Sequence, residues 1–360
     1  MPVNVITNIK QLPCFLNFSD EQKKVLEYVI KEHALKITPH YASLIDWDNP
    51  KDPLLKMIVP GKLELDQLGF LDTSGESQNT KIRGLQHKYD QTVLILTTSN
   101  CAAFCRFCFR KRMVGKNTFE IAQDFKKIIT YIKKHKEINN VLLSGGDVMT
   151  LPTNNILKIL KDISVLPNIR NIRMGTRILT YLPQRIIKDK KLLTGLSKFS
   201  KLEKRLCVVA HFNHPKEISK QTIKAVDLLL SRGIILLNQA VLLKGVNDDP
   251  KVLAELFTQL SAIGIRPYYL FQARPVKSET HFQVEIEKGI KICDEAKKRC
   301  SGLSKTFRYI CSHKSGKIEI IGKHKNKVIF KRHQAKNPKD INKIIFVKPN
   351  PQAKWFDDYK

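Results

Sequence analysis

Apolar positions along the chain follow two different spacings from about residue 92 onward. Short apolar runs, typical of buried strands, are each followed by a stretch with apolar residues three or four positions apart, which predicts an amphipathic helix. In the first unit the run at 92–98 precedes 119–137, where Phe125, Ile128 and Ile132 would share one helix face. The other five runs lie at 140–144, 171–176, 205–212, 234–243 and 266–272.

Six strand–helix units in a row predict an α/β fold with a parallel sheet and helices outside it. The repetition favours a partial (β/α)6 barrel of the TIM type, although spacing alone does not separate it from a doubly wound sheet. We expect an N-terminal helical extension at 1–84, the barrel at 85–304 and a C-terminal β-rich segment at 305–360. In that last segment "TFRYICSHKSGKIEIIG" predicts two strands joined by a turn, followed from about residue 323 by a basic, irregular tail.

Polar side chains follow the predicted strands at their C-terminal ends. These ends lie at one edge of a barrel, which is where barrel enzymes place their active sites. In chain order the groups are Cys101, Cys105 and Cys108; Ser144, Gly145, Gly146 and Asp147; Thr176 and Arg177; His211, Asn213 and His214; Asn247 to Asp249; and Gln272 to Arg274. Their convergence predicts an enzyme.

Composition is that of a globular protein, with 42% hydrophobic residues in 360. The chain has no apolar run of about 18 residues and no secretory signal pattern, so we expect a cytoplasmic protein without a membrane partner. The net charge of +30 would suit nucleic acid binding. However, the lysines are scattered along the predicted helices, which favours a solvated surface, and nucleic acid is not the expected partner.

Three of the eight cysteines are clustered in "NCAAFCRFCFRKRMVG", with the spacing Cys-x3-Cys-x2-Cys. Three thiolates in one loop bind either zinc or three irons of a 4Fe–4S cluster. Structural zinc commonly has four protein ligands, and no fourth ligand stands out here. A four-iron cluster held by three cysteines keeps one iron open for an external ligand, which is a catalytic arrangement.

These cysteines, together with Ser144-Gly145-Gly146-Asp147 after the second strand, resemble the radical S-adenosylmethionine (SAM) superfamily. The motifs "LLSGGD", "GTR…LPQR", "HFNHP", "NQAVLLKGVND" and "PYYLFQ" are similar to those of the lysine 2,3-aminomutase family, over residues 50–322. The resemblance implies an isomerase that converts an α-amino acid to a β-amino acid by a 1,2-amino shift. Its implied cofactors are a 4Fe–4S cluster, S-adenosylmethionine and pyridoxal 5′-phosphate.

The resemblance also assigns roles to residues. Cys101, Cys105 and Cys108 would hold the cluster, and Arg110 would bind the α-carboxylate of the substrate. Lys111 and Arg112 would lie at the surface or contact the cofactor phosphate. Residues implied in S-adenosylmethionine binding are Ser144, Gly145, Gly146, Asp147, Arg177, His211 and Asn213. Those implied in pyridoxal phosphate binding are Lys317, as the attachment point, with Lys88 and Tyr89. The family's glycine run before that lysine is reduced to Ser315-Gly316, and Lys314 competes for the assignment.

The sequence motifs determine the identity of the substrate less well than the class of reaction. The lysine enzyme has two aspartates for the substrate's ammonium group, and the matching positions here are Arg274 and Ile310. A buried cation without a counter-charge is costly, so these residues favour an acidic or polar substrate such as glutamate. The alternative is that Arg274 points elsewhere, for example to the cofactor phosphate, and that Glu279 or Asp248 binds the side chain of lysine.

Three other functions stay open at this point. They are the shorter family branch that makes (R)-β-lysine for elongation factor P, a radical SAM enzyme that modifies RNA, and a non-catalytic iron–sulfur protein that binds nucleic acid. The expected partners are a small amino acid and a reducing electron donor of the flavodoxin or ferredoxin type, and a homo-oligomer is left open.

Overall fold

The computed structural model describes residues 5–200 and 203–359, which fold around one twelve-stranded sheet. The strands are Thr80–Ile82 (β1), Leu85–Tyr89 (β2), Thr92–Thr98 (β3), Asn140–Gly145 (β4), Asn171–Thr176 (β5), Arg205–Ala210 (β6), Ile235–Leu242 (β7), Arg266–Gln272 (β8), Arg308–His313 (β9), Gly316–His324 (β10), Lys327–Ala335 (β11) and Ile344–Val347 (β12).

The strands lie side by side in the order of the sequence. Strands β3 to β9 are parallel, and antiparallel strands flank them on both sides. In the described ranges β1 pairs only with β2 and β12 only with β11, so the sheet is not closed. The predicted partial barrel is therefore confirmed, and β9 adds a seventh parallel strand to the six expected. The hairpin of β1 and β2 spans the expected boundary at residue 84.

Helices connect the parallel strands and form the N-terminal extension. The α-helices are Asp20–Glu32 (α1), Pro39–Ala42 (α2), Pro53–Ile58 (α3), Glu76–Asn79 (α4), Phe125–Lys134 (α5), Thr153–Ser164 (α6), Ile178–Tyr181 (α7), Gln184–Ile187 (α8), Lys190–Ser197 (α9), Lys220–Leu230 (α10), Pro250–Ala262 (α11) and Ile286–Arg299 (α12). Single 3-10 turns lie at Ile9–Gln11, Phe15–Asn17, Lys62–Leu65, Val148–Thr150, Pro215–Glu217, Thr280–Phe282, Pro338–Asp340 and Phe356–Tyr359. Within the described ranges no helix combines the length and the apolar content that crossing a bilayer would require.

Helix α5 is shorter than its apolar spacing predicted, because it begins at Phe125 and not at 119. The Asp124 side chain accepts a hydrogen bond from the Lys127 N–H and so caps the helix one residue earlier. The chain before it is held against the sheet, where the Ala122 N–H donates to the Leu96 carbonyl at 2.8 Å. That contact fixes an extended approach to the helix.

The main core lies between the outer face of the parallel strands and the helices that cover them. Val141 and Leu143 of β4 point to this side, and Ile128 and Ile132 of α5 pack there, all with no exposed surface. Alternate residues of the same strands, such as Leu142, face the interior of the barrel instead. The interior is thus free to hold a cavity.

The prediction of an irregular tail from residue 323 is wrong. Strands β11 and β12 continue the sheet there, and Val328 and Phe330 are fully buried. The Phe330 ring packs against the rings of Phe356 and Tyr359, at centroid distances of 5.1 and 5.3 Å. Basic residues surround the short apolar stretch of β11, and these masked its strand pattern in the sequence.

The buried position of Phe330 predicts a large effect of truncation. Phe330→Ala removes a fully buried ring, and we expect a loss of about 3–5 kcal/mol in the free energy of unfolding, measured by denaturant titration. Phe346→Ala is the matched control, because that ring on neighbouring β12 is 61% exposed. Equal effects of the two changes would contradict the packing of the C-terminal strands.

Candidate active site

A cavity of about 330 Å³ occupies the barrel interior and the C-terminal ends of its strands. It is lined by every predicted site residue except Asn213. Those residues are Lys88, Tyr89, Cys101, Cys105, Cys108, Arg110, Ser144, Gly145, Gly146, Asp147, Arg177, His211, Arg274 and Lys317. Residues from widely separated parts of the chain therefore meet in one space.

The cysteine loop is held in place by the N-terminal extension. The Phe104 N–H donates to the Lys36 carbonyl, the Arg106 N–H donates to the Met57 carbonyl, and the Lys36 ammonium donates to the Cys101 carbonyl. The Arg106 side chain is almost fully buried in an ion pair with Glu64. The loop is thus fixed by the N-terminal segment, for which the sequence indicated no chemical role.

The three thiols of the loop suit a cationic metal cluster. Burial, together with the neighbouring thiolates, raises the pKa of Cys101 well above its usual value and that of Cys108 to about 12. Thiolates at such positions require a nearby positive charge, and an iron–sulfur cluster supplies it when it binds. The donor set therefore fits the cluster that the cysteine spacing implied.

The glycine turn after β4 packs directly on the start of the cysteine loop. The Gly146 N–H donates to the Thr98 carbonyl at 2.6 Å, and the Asp147 N–H donates to the Asn100 carbonyl at 2.7 Å. A Cβ atom on Gly146 would lie 2.2 Å from the Asn100 oxygen, which no side chain tolerates. Glycine is needed here for close approach of two backbones, a reason separate from any ligand.

Asp147 joins the ends of two strands. Its carboxylate accepts hydrogen bonds from the Thr176 hydroxyl and the Arg177 N–H, both at 2.7 Å. Burial raises the pKa of this carboxyl group, although these donors counteract the rise. Asp147 thereby fixes the backbone from which the Arg177 side chain enters the cavity.

Arg177 lies between Glu217 and the cysteine loop. Its guanidinium forms a buried ion pair with Glu217 and reaches to 3.4 Å from the Cys105 sulfur, which also lies 3.0 Å from the Tyr181 hydroxyl oxygen. The Arg177 Nε has no hydrogen-bond partner among the described residues. The free nitrogen is available to a ligand.

The residues of "HFNHP" divide into different environments. His211 lines the cavity, its Nε2 is buried without a partner in the described chain, and burial lowers its pKa so that the ring is neutral. Asn213 lies behind the cavity wall, where its side-chain oxygen accepts a hydrogen bond from the Val241 N–H at 2.8 Å. His214 accepts from the Lys216 N–H and caps a short turn. Only His211 is placed to meet a ligand.

Arg110 is paired with an acid that sequence reasoning missed. Its guanidinium contacts the Glu76 carboxylate at 2.7 Å and donates to the Ser144 hydroxyl at 2.8 Å. Arg112 contacts the other Glu76 oxygen at 2.6 Å. Burial alone would raise the pKa of Glu76, but the two arginines outweigh it and hold the pKa at about 2. Glu76 is a single acid in a four-residue helix, so no sequence signal marked it.

The prediction that Lys111 lies at the surface is wrong. Its side chain is 9% exposed, and its ammonium lies 3.3 Å from the Glu279 carboxylate. Burial raises the pKa of Glu279 to about 8 despite this ion pair. Arg112 is also largely enclosed, because Glu76 and Glu120 both hold its guanidinium. The basic run therefore forms ion pairs in the interior of the protein.

Lys317 enters the cavity from β10. Its ammonium donates to the Gln334 side-chain oxygen at 2.9 Å and lies 4.9 Å from the centre of the Tyr89 ring. Burial, assisted by nearby cations, lowers the pKa of Lys317 to about 7. The competing Lys314 is exposed and does not line the cavity.

Lys88 lies beside Lys317 but is engaged with the backbone. Its ammonium donates to the His313 carbonyl at 2.7 Å, and burial lowers its pKa to about 8. Of the two amines, Lys317 is the more readily deprotonated, and it donates one hydrogen bond where Lys88 donates two. It is therefore the better nucleophile toward an aldehyde.

Arg274 also faces the cavity and keeps a free donor. Its guanidinium stacks on the Phe109 ring at 4.1 Å, and one nitrogen donates to the Ser312 hydroxyl at 3.0 Å. The other terminal nitrogen is buried without a partner in the described residues, and burial lowers the pKa of Arg274 to about 10. Ile310 is buried behind the cavity wall, and Asp248 pairs with Lys288 outside it.

Comparison with known proteins agrees with this geometry. The model of the radical SAM superfamily matches residues 95–257. A relative from Aquifex aeolicus (strain VF5), provisionally named an L-lysine 2,3-aminomutase, is 42% identical over 94% of this chain and 91% of its own length. The L-lysine 2,3-aminomutase of Clostridium subterminale is 33% identical over 83% and 71%, and the glutamate 2,3-aminomutase of Clostridioides difficile (strain 630) is 32% identical over 84% and 70%.

The fold and the site define a radical SAM protein with a partial barrel. The chain belongs to the lysine 2,3-aminomutase family, as the resemblance in its motifs implied. It is therefore an isomerase of the radical SAM aminomutase class, and membership implies a 4Fe–4S cluster and S-adenosylmethionine.

The buried pair of Arg110 and Glu76 predicts a strong stability effect. Glu76→Gln leaves the buried Arg110 without its counter-charge and Arg112 with Glu120 alone, so we expect a loss of about 3–5 kcal/mol at neutral pH in thermal or denaturant unfolding. Since the pKa of Glu76 is lowered, its contribution is present above 4.5 and is lost as the pH falls toward 2. The difference between the variant and the original chain should therefore shrink over that interval.

Glu120→Gln is the control for this experiment, because Glu120 pairs with Arg112 alone and is 35% exposed. A cost of about 1 kcal/mol or less is expected for it. An unchanged stability of Glu76→Gln would contradict the assigned ion pairs.

Proposed function

We propose that this protein is a pyridoxal phosphate-dependent 2,3-aminomutase that acts on a free α-amino acid with an acidic or polar side chain, such as glutamate. The observation that supports the proposal most strongly is the position of Lys317, which shares one cavity with the three clustered cysteines. An enzyme that used only the cluster and S-adenosylmethionine would not need a buried, partly neutral lysine at that place.

Each cofactor supplies chemistry that side chains lack: the cluster and S-adenosylmethionine give an organic radical, and pyridoxal phosphate gives a conjugated ring that delocalises an unpaired electron. The residues of the chain bind, orient and shield these groups. With a pKa of about 7, Lys317 is neutral in about half of the molecules at neutral pH and is able to attack the cofactor aldehyde. Phe107, Phe109 and Phe271 line the cavity and limit the entry of water.

Arg110 and Arg274 support the choice of an anionic substrate. Arg110 already binds Glu76 with one edge of its guanidinium, and the edge toward Ser144 is the one we assign to the α-carboxylate. Arg274 offers an unpartnered nitrogen in the same cavity, which suits a second carboxylate. A substrate with two carboxylates would satisfy both arginines.

Lysine is the second candidate substrate. Several relatives are named lysine 2,3-aminomutases, and Glu279 at the cavity wall is an acid able to face an ammonium group. Glu279 is, however, already paired with Lys111.

With either substrate we propose that a small flavodoxin- or ferredoxin-type protein supplies the electron. The net charge of +30 would suit the RNA-modifying alternative, but the scattered lysines do not favour it, and Arg274 disfavours the lysine substrate of the elongation factor P branch.

Replacing the proposed attachment lysine should abolish binding of pyridoxal phosphate. For Lys317→Ala we expect loss of the visible absorption of the lysine-bound cofactor and loss of amino-acid turnover. Lys314→Ala, three residues away and exposed, should keep both. In the unchanged chain the rate of cofactor attachment should fall about tenfold per pH unit below 7, because only the neutral amine reacts. Retained absorption in Lys317→Ala would refute the assignment.

Arg274 should decide between the two substrates. The reconstituted enzyme, incubated anaerobically with S-adenosylmethionine, a reductant and an equal mixture of amino acids, is expected to form β-glutamate. Arg274→Asp should abolish this product, since an unpaired carboxylate would then face the substrate's own. β-Lysine as the sole product of the unchanged enzyme would refute the anionic substrate and leave the aminomutase chemistry intact.

A further inference from the structure

A second group of metal-ligating side chains lies apart from the cavity. His87 belongs to β2, His135 directly follows α5, and Glu137 lies two residues further on. One ligand atom from each side chain lies within 4.8 Å of the other two. None of the three lines the cavity, so the cluster, S-adenosylmethionine and pyridoxal phosphate do not account for them.

One hydrogen bond of His87 orients its ring, and the other engages the nitrogen that a cation would bind. Its Nε2 lies 3.1 Å from the Asp90 carbonyl oxygen, which only accepts, so Nε2 must carry the hydrogen. With the hydrogen on Nε2, Nδ1 carries the lone pair and accepts a hydrogen bond from the Tyr131 hydroxyl at 3.0 Å, which a bound cation would replace. A histidine that donates one N–H to a carbonyl and offers the other nitrogen is the usual arrangement of a metal ligand.

The other two ligands are on a fixed support. The His135 ring stacks on Tyr131 at 4.1 Å, and its Nδ1 lies 2.7 Å from the Glu137 carboxylate. The Asn168 side chain donates to the carbonyls of His135 and Ile138, which holds the turn that carries Glu137. The backbone that carries these two residues is thus held in place, and a cation bound through His135 Nδ1 would replace its hydrogen bond to Glu137.

Two imidazoles and one carboxylate are ligands that zinc prefers, and three protein ligands leave a fourth position for water. Such a set also carries one negative charge, which offsets part of the charge of a divalent cation. We propose that His87, His135 and Glu137 bind one divalent cation of the zinc class on the outer side of β2. The cation would join β2 to the end of α5 and so fix the strand that carries Lys88 and Tyr89 into the cavity.

The test uses the complete chain with its iron–sulfur cluster reconstituted, so that the loop thiols are occupied. After incubation with zinc chloride and dialysis, bound zinc is counted, and its ligands are identified by X-ray absorption at the zinc edge. We expect one zinc per chain with nitrogen and oxygen neighbours at about 2.0–2.1 Å. Sulfur neighbours at about 2.3 Å would place the zinc on cysteines and refute the proposal.

Variants at two of the three positions, with one control, complete the test. His135→Gln and Glu137→Gln change side chains that are 38% and 45% exposed, so the fold should persist. Each should weaken zinc binding at least about tenfold, since even the loss of a supporting group does so. His324→Gln, an exposed histidine elsewhere, should bind zinc as the original chain does. Unchanged zinc content in both site variants, or no zinc in the original chain, would show an aromatic cluster only and overturn the site.

Discussion

Buried positive charge facing one cavity is the constraint on which the rest of this structure depends. In the described chain six cationic side chains line that cavity and three acids oppose them. The cations are Lys88, Arg110, Arg173, Arg177, Arg274 and Lys317, and the acids are Glu76, Asp147 and Glu279. Buried charge without a counter-charge is unfavourable, and burial accordingly lowers the pKa of Lys88, Lys317 and Arg274. The cavity lining therefore has an excess of positive charge. Ligands that carry phosphate or carboxylate groups would balance this excess.

The open sheet makes this arrangement possible. Parallel strands bring the cysteine loop and the glycine turn to one end of the barrel, where backbone hydrogen bonds join them. The antiparallel strands β10 and β11 then cross the open side and insert Lys317 and Gln334 into the same space. A closed barrel of eight strands would leave no room for that insertion. The C-terminal segment is thus part of the active site as well as of the sheet.

Much of this could be predicted from the sequence, because strand spacing and a three-cysteine loop are local patterns. The six strands and the cavity-lining cysteines followed from them, whereas the choice of Lys317 followed from the resemblance to the family. Glu76, Glu217 and Gln334 could not be found in this way, since each is a single polar residue whose role depends on a partner far along the chain. The start of α5 and the strands after residue 323 were missed because a side-chain cap and a sheet neighbour determine them.

The attachment of pyridoxal phosphate is the central claim, and chemical trapping measures it most directly. The reconstituted chain is incubated with pyridoxal phosphate, reduced with borohydride to fix the cofactor on its lysine, and digested for peptide mass analysis. We expect one modified residue, Lys317, because its amine lies in the cavity and burial lowers its pKa to about 7. Modification of Lys88 or Lys314 instead, or labelling spread over many surface lysines, would contradict it.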